Sequence, residues 1–283
     1  MQNRMAKKKW GQNFLIDQKV VETIVQAADV KNEESILEIG PGLGTLTRAL
    51  LERNSHVTAV EIDPELCVKL RQRFVKEKRF TLCEMDVMEL APEALANLIP
   101  ASGKVVANLP YNIATSLILT ILPVRKAWQS LTLMVQFEVA ERICATPESG
   151  KSYSPLSLVG ELGFEKKIIK KIHPESFKPV PKVDSAVIRL LPRESGLPPE
   201  DEKRFLKWSH LLFQQRRKTL MNGIRQHFPE WYQNCGDSLR EKFELRRPET
   251  LDFNEWMKLF SDYMQNEKNE ICQEIRNFAK KEV

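Results

Sequence analysis

Ile36-Leu37-Glu38-Ile39-Gly40-Pro41-Gly42-Leu43-Gly44-Thr45 is the stretch on which the fold turns. An apolar run of strand type, Ile36 to Ile39, leads directly into glycines at alternate positions, and a helical pattern takes over after them. Glycines at a strand-to-helix turn let a ligand approach the backbone closely, because no Cβ intervenes. The turn therefore predicts a nucleotide-like cofactor. By itself it is equally compatible with a structural loop or an NAD site, and these stay open at this point.

Outward from the turn, apolar runs recur at His56 to Val60, Phe80 to Cys83, Val105 to Ala107 and Leu131 to Val135, each followed by a helical pattern. Strands apolar on both faces that alternate with helices mark a mostly parallel sheet covered on both sides. Gly163 to Ile172 and Ser185 to Leu191 read as antiparallel strands at the sheet's edge, joined by the proline-rich Pro174 to Pro181, which cannot be helix interior. Upstream, Val20, Val21, Ile24, Val25 and Ala28 recur at helical spacing behind Asp17, a candidate cap. Composition changes at Pro192 to Glu202, which reads as a linker. Beyond it, Phe205 to Ile224 and Phe253 to Met264 are helical in period. The predicted architecture is α/β: a Rossmann-like domain with a seven-stranded sheet over 1–196, a small all-α domain over 197–265 and a charged tail over 266–283.

The chain has 283 residues and a formal net charge of +5, a modest average that can hide a basic face. Cys67, Cys83, Cys144, Cys235 and Cys272 form no C-x-x-C pair and no secreted-type framework, which predicts a reduced, cytoplasmic setting. The scattered histidines lack metal-ligand spacing, so no metal is expected. Lys7, Lys8 and Lys9 precede Trp10-Gly11-Gln12-Asn13 where an export signal would need an apolar run. The longest apolar stretch, Leu117 to Val124, is interrupted by Thr120 and Pro123 and is far shorter than the roughly 20 residues of a spanning helix, so no membrane partner is expected.

Candidate ligands sit at strand ends. Glu61 closes the second of these runs, where a carboxylate can accept from both hydroxyls of a ribose. The neighbouring Asp63-Pro64 reads instead as a helix cap and first-turn proline. Asp86, after the third run, is either an acceptor for an adenine amino group or a simple cap. After the fourth comes Asn108-Leu109-Pro110-Tyr111, at the carboxyl edge where ligands of such sheets bind. An adenine amino nitrogen is a poor nucleophile because its lone pair is delocalised into the ring. Acceptors aimed at its protons, here the Asn108 side-chain oxygen and the Leu109 carbonyl, localise that pair. Tyr111 can stack on an extruded base. The structural alternative is a tight turn that uses Asn108 and Pro110 for backbone geometry alone.

In these motifs the sequence resembles the ribosomal RNA adenine dimethyltransferase family over nearly its whole length, in particular the bacterial enzymes acting on small-subunit RNA. Gly40-Pro41-Gly42 and Asn108-Leu109-Pro110-Tyr111 carry the resemblance, together with Gly11-Gln12-Asn13-Phe14-Leu15 and the run from Phe177 through Pro179 and Pro181 to Lys182-Val183-Asp184-Ser185. It implies a class I methyltransferase domain that uses S-adenosyl-L-methionine and no metal. It further implies dimethylation at N6 of two adjacent adenosines near the 3′ end of 16S rRNA in the small subunit or its precursor, by a monomer in the cytoplasm. By that resemblance Asn13, Leu15, Gly40, Gly42, Glu61, Asp86 and Asn108 contact the cofactor, residues 11–15 close over it, and Phe177 joins Tyr111 in flanking the target adenine. Trp10 stands where the family usually has phenylalanine, and Phe137 where it often has lysine.

Between Lys203 and Arg225 no acidic residue occurs, while Lys207, Arg216, Arg217, Lys218 and Arg225 accumulate. This predicts a helix that grips RNA backbone, the alternative being a solvated basic face. Phe213 to Leu220 resembles the family's second-domain motif. Lys7, Lys8 and Lys9 are further phosphate candidates. Three other readings stay in view: the related large-subunit RNA dimethylase of macrolide resistance, a ribosome-assembly factor, and an NAD-dependent oxidoreductase, which would leave Asn108 to Tyr111 unexplained.

Overall fold

The computed structural model describes residues 13–281, with side chains described as far as residue 267. It divides into two units, one of the described residues up to Cys144 with Leu162–Ser195, the other of Ala145–Glu161 with the described residues from Gly196 onward.

The first unit contains strands β1 (Phe14–Leu15), β2 (Ser35–Ile39), β3 (His56–Glu61), β4 (Phe80–Glu84), β5 (Gly103–Asn108), β6 (Trp128–Gln136), β7 (Phe164–Ile172), β8 (Phe177–Lys178) and β9 (Ser185–Pro192). Between them lie helices α1 (Gln18–Ala28), α2 (Thr45–Leu51), α3 (Pro64–Arg73), α4 (Pro92–Ala96), α5 (Ala114–Ile121) and α6 (Phe137–Cys144). Seven strands form one sheet in the order β4-β3-β2-β5-β6-β9-β7. The first five are parallel, and β9 runs antiparallel to both β6 and β7. Each strand read from the sequence is present, because five parallel strands covered on both faces must be apolar throughout. The small β1–β8 ladder pairs Leu15 with Phe177.

Local chemistry fixes the helix starts. Asp17 accepts from Lys19 N at 2.9 Å, capping α1, whose Val20, Val21, Ile24, Val25 and Ala28 face the core. Asp63 caps α3 through Glu65 N with Pro64 in the first turn. The strand order reverses at β2, with β3 on one side and β5 on the other. Connections leaving in opposite directions there open a crevice at the carboxyl ends of the strands.

The second unit is helical, with α7 (Pro155–Gly163) leading out of it, then α8 (Pro199–Phe213), α9 (Leu220–His227), α10 (Pro229–Asn234), α11 (Asp237–Phe243) and α12 (Phe253–Lys281). Trp208 centres an aromatic core, with Phe205, Phe228, Trp231, Trp256 and Phe260 packed around it. Three details differ from the sequence reading. Residues 145–161, taken there as part of the first domain, group with the helical unit, where Tyr153 packs edge-on against Phe213. The helix expected from Phe205 to Ile224 is broken between Phe213 and Leu220: Arg216 turns inward to donate to the carbonyls of Lys151 and Tyr153, and Leu220 N donates to Arg246 O. The helix starting at Phe253, in turn, continues past Met264 to Lys281.

Candidate active site

The turn after β2 is held by hydrogen bonds that leave its backbone open to the crevice. Gly40 N donates to Val60 O at 2.9 Å, and Gly42 N to Glu61 Oε2 at 3.2 Å. Gly42 and Gly44 have φ of +59° and +77°, conformations that a side chain strains. A Cβ on Gly44 would lie 2.7 Å from the Phe74 ring, and one on Gly42 would lie 3.1 Å from Phe14. Gly44 thus allows α2 to pack on α3, whereas Gly42 keeps open the gap between the turn and β1.

That gap belongs to a cavity of about 200 Å³ at the carboxyl ends of β2, β3 and β5. Asn13, Leu15, Gly40, Gly42, Glu61, Asp86, Asn108, Leu109, Pro110 and Tyr111 all line it, so residues from five separate stretches of sequence converge as expected. Phe14 and Glu38 line it too, and the sequence reading did not single them out. For Glu38 the signal was a lone acid inside an apolar strand, where burial of a charge demands a reason.

Among the described residues, three carboxylates line this cavity, from Glu38, Glu61 and Asp86, and no lysine, arginine or histidine does. Glu38 is 1% exposed and its Oε2 has no hydrogen-bond partner. Burial pushes its carboxyl up to about 8, opposed by Thr47 and reinforced by the neighbouring Glu61. Burial also raises Glu61, although the N–H groups of Asp63, Gly42 and Ile62 favour its ionised form. Asp86 Oδ1 accepts from Met88 N at 2.8 Å, so one oxygen is a cap while the residue still borders the cavity. A pyrophosphate would bring negative charge to this acidic lining. S-adenosyl-L-methionine brings a sulfonium and an ammonium, and an orphaned carboxylate oxygen is a fitting partner for such charges. The residues therefore fit a cationic cofactor better than a dinucleotide.

At the end of β5 the half-buried Asn108 donates from Nδ2 to Asn13 O at 3.5 Å, which orients its Oδ1 as the remaining acceptor. Leu109 N donates to Met134 O at 3.0 Å, fixing the turn against β6. Tyr111 Oη lies 2.7 Å from Ser185 Oγ at the start of β9. Burial holds the phenol above its ordinary value, the Ser185 contact acting against that.

Phe177 is placed differently. It is 1% exposed, packs in the core with Leu15, Val20 and Val187, is paired with Leu15 in the β1–β8 ladder, and is not among the residues lining the cavity. Among the basic candidates, Arg217 and Lys218 are exposed in the second unit. Arg216 is engaged with backbone carbonyls and with Glu249 at 4.0 Å. Lys7, Lys8 and Lys9 lie outside the described residues. Among the described residues no cluster of three or more His, Cys, Asp or Glu side chains could hold a metal ion, and no helix is long and apolar enough to cross a membrane.

A mostly parallel seven-stranded sheet with one strand reversed, a glycine turn and an acid-lined cavity at the switch point define the Rossmann-like methyltransferase class. The family described as ribosomal RNA adenine dimethylase matches residues 3–261, and the chain belongs to it. It is 39% identical over 260 residues to the ribosomal RNA small subunit methyltransferase A of Clostridium botulinum, covering 89% of this chain and 92% of that protein. A protein of the same name from Chlorobaculum parvum is 39% identical over 259 residues, covering 90% of this chain and 88% of its own. Of solved structures, a dimethyladenosine transferase from Plasmodium falciparum superposes with a TM-score of 0.74 at 26% identity, over 89% of this chain and 98% of the other. The 23S rRNA methyltransferase ErmE superposes with a TM-score of 0.65 at 28% identity, over 88% and 99%.

Proposed function

We propose that this protein dimethylates N6 of two adjacent adenosines near the 3′ end of small-subunit ribosomal RNA, using S-adenosyl-L-methionine, during subunit biogenesis in the cytoplasm and as a monomer. The observation that carries the reading is the Asn108 corner, an oriented amide oxygen and an anchored aromatic ring at the mouth of an acid-lined cavity. The small-subunit relatives favour that substrate over the large-subunit RNA named for ErmE.

The bound cofactor supplies an electrophilic methyl on a sulfonium that leaves readily. Glu61, with Oε1 and Oε2 fixed by backbone N–H groups, is oriented to accept from ribose hydroxyls. Asp86 and Asn13 flank the remaining wall, Gly40 and Gly42 admit the cofactor against the backbone, and Leu15 covers it. Asn108 Oδ1 and the Leu109 carbonyl accept the protons of the adenine amino group, localising its lone pair towards the methyl. Pro110 rigidifies that turn. Tyr111 stacks on the extruded base, and stacking worth about 1–3 kcal/mol offsets much of the few kcal/mol that extrusion costs. Positioning for in-line attack is the residues' main contribution, up to about 7–11 kcal/mol in favourable cases. Phe177 acts as a positioning residue by backing β1. Arg217 and Lys218 hold RNA phosphates, with Lys7, Lys8 and Lys9 as further contacts and Arg216 bracing the loop that presents them.

The test is methyl transfer from labelled S-adenosyl-L-methionine to small subunits lacking the modification, with nucleoside mass analysis and Asn108→Ala as the control. Dimethyladenosine that falls by on the order of 10²-fold in the control supports the reading, taking one preorganised transition-state contact as the guide. Tight cofactor binding without transfer to small subunits points to a different RNA.

A further inference from the structure

The outer strand of the sheet has a charge pattern that the methyl-transfer site does not explain. Among the described residues β7 has one neighbour, β9, which leaves its other edge unpaired. Lys167 stands directly opposite Arg189 in the β7–β9 ladder, a like-charge pair that costs stability in a sheet. Arg189 Nε is moreover buried without a hydrogen-bond partner. The register then shifts between Ile168 and Lys170, and pairing resumes with Lys170 opposite Val187. Residues two apart on a strand share a face, and so do residues directly opposite across a ladder, so the shift puts Lys170 on the face already holding Lys167 and Arg189. Without the bulge Ile169 would occupy that place. Lys178 and Lys182, in the connection to β9, are exposed like Lys167 and Lys170. None of the side chains of these four lysines has a hydrogen bond or ion pair among the described residues.

At its far end this edge meets the active site. Ile172, the last residue of β7, is paired with Ser185, the residue that holds Tyr111. We infer that the exposed edge of β7 and the β8–β9 connection form a phosphate-binding track for the RNA backbone, leading the strand towards Tyr111. The choice of RNA as the partner rests on the methylation reading. The track itself rests on the uncompensated cations and on their placement by the bulge. Lysines on an unpaired edge also discourage sheet-to-sheet association, and a guard role alone predicts no dependence of RNA binding on them.

The experiment compares the full chain with a Lys167→Gln, Lys170→Gln, Lys178→Gln, Lys182→Gln variant and with the corresponding four arginine substitutions. Affinity for unmodified small-subunit RNA is measured across salt concentrations, alongside S-adenosyl-L-methionine affinity and methyl transfer. For the glutamine variant the expected slope of log affinity against log salt is shallower by about 3, at about 0.7 per phosphate contact on single strands. Its KM for RNA should rise with kcat and cofactor affinity unchanged, and the arginine variant should restore the slope. A glutamine variant that binds cofactor and keeps the wild-type salt slope overturns the track, whether or not it self-associates. If the wild-type protein binds RNA but transfers no methyl to adenine, the methylation reading fails instead, and the slope comparison still decides the track.

Discussion

Tyr111 Oη and Ser185 Oγ, 74 residues apart in sequence, lie 2.7 Å apart across the carboxyl edge of the sheet. Tyr111 follows β5 and Ser185 opens β9, with β6 between those strands, so the contact reaches over a neighbouring strand. A ring meant to stack on a base must keep its plane, and this hydrogen bond fixes the far end of the phenol. Removing it with Ser185→Ala should cost about 1 kcal/mol, a five- to tenfold loss of transfer from a base that is held less well. Cofactor affinity should not change. Steady-state kinetics on small subunits checks this, and Tyr111→Phe should show a loss of the same size. Unchanged kinetics in both variants would remove the anchoring role.

Glu38 makes cofactor binding depend on pH. Its carboxyl, lifted to about 8 by burial, is protonated in the empty cavity at neutral pH. A cation brought beside it favours the ionised form, so binding expels the proton. Affinity for S-adenosyl-L-methionine therefore rises with pH below about 8 and levels off above it, by at most about tenfold per unit. Titration calorimetry between pH 6 and 9, repeated in buffers of different ionisation enthalpy, reads both the affinity and the released proton; the chosen range brackets the raised pKa. Glu38→Gln should abolish the pH dependence, and a variant that keeps it would assign the proton elsewhere.

Gly42→Ala tests the close approach at the turn. The new Cβ would meet Phe14 at 3.1 Å, and the backbone at φ +59° would hold an alanine at a cost of about 1–2 kcal/mol. The expected outcome is a folded protein with a lowered melting temperature and a cofactor affinity reduced about tenfold or more. Phe14→Ala in the same chain should relieve the clash but not the φ strain, restoring part of the loss. Full affinity in the single variant would show that the turn has more room than its geometry gives it.

How far the sequence alone reached can be seen residue by residue. The five parallel strands were legible from apolar runs separated by helical patterns, the two edge strands from their place on either side of a proline-rich connection, and the cavity residues because strand ends converge at a switch point. Glu38 was missed although a lone acid in an apolar strand marked it, because the lack of a partner for its buried carboxylate oxygen shows only after folding. Phe177, expected beside the target adenine, packs in the core with Leu15, and an aromatic inside a motif reads the same whether it faces a ligand or the core. Residues 145–161 join the helical unit through Tyr153 and the Arg216 contacts, pairings 60 or more residues apart that no local pattern encodes. The break at 214–219 has the same origin. Its basic run is compatible with helix by propensity, and the inward turn of Arg216 overrides it.

That turn separates two adjacent arginines that look alike in sequence. Arg216 donates to the Lys151 and Tyr153 carbonyls at 3.2 and 3.0 Å, whereas Arg217 is exposed and makes no hydrogen bond or ion pair among the described residues. Arg216→Ala strips partners from two carbonyls and should cost about 1–3 kcal/mol of stability, visible as a lower melting temperature. Arg217→Ala should leave the melting temperature within error, because a solvated cation contributes little to folding. Its effect should fall on RNA affinity, with a salt slope shallower by about 0.7 for one lost phosphate contact. Arg216→Lys should lose stability as well, since an ammonium cannot reach two carbonyls with the spread of a guanidinium fork. If instead Arg217→Ala lowers the melting temperature and leaves the salt slope alone, the phosphate contact belongs to another cation of this loop, and Lys218 is the next to test.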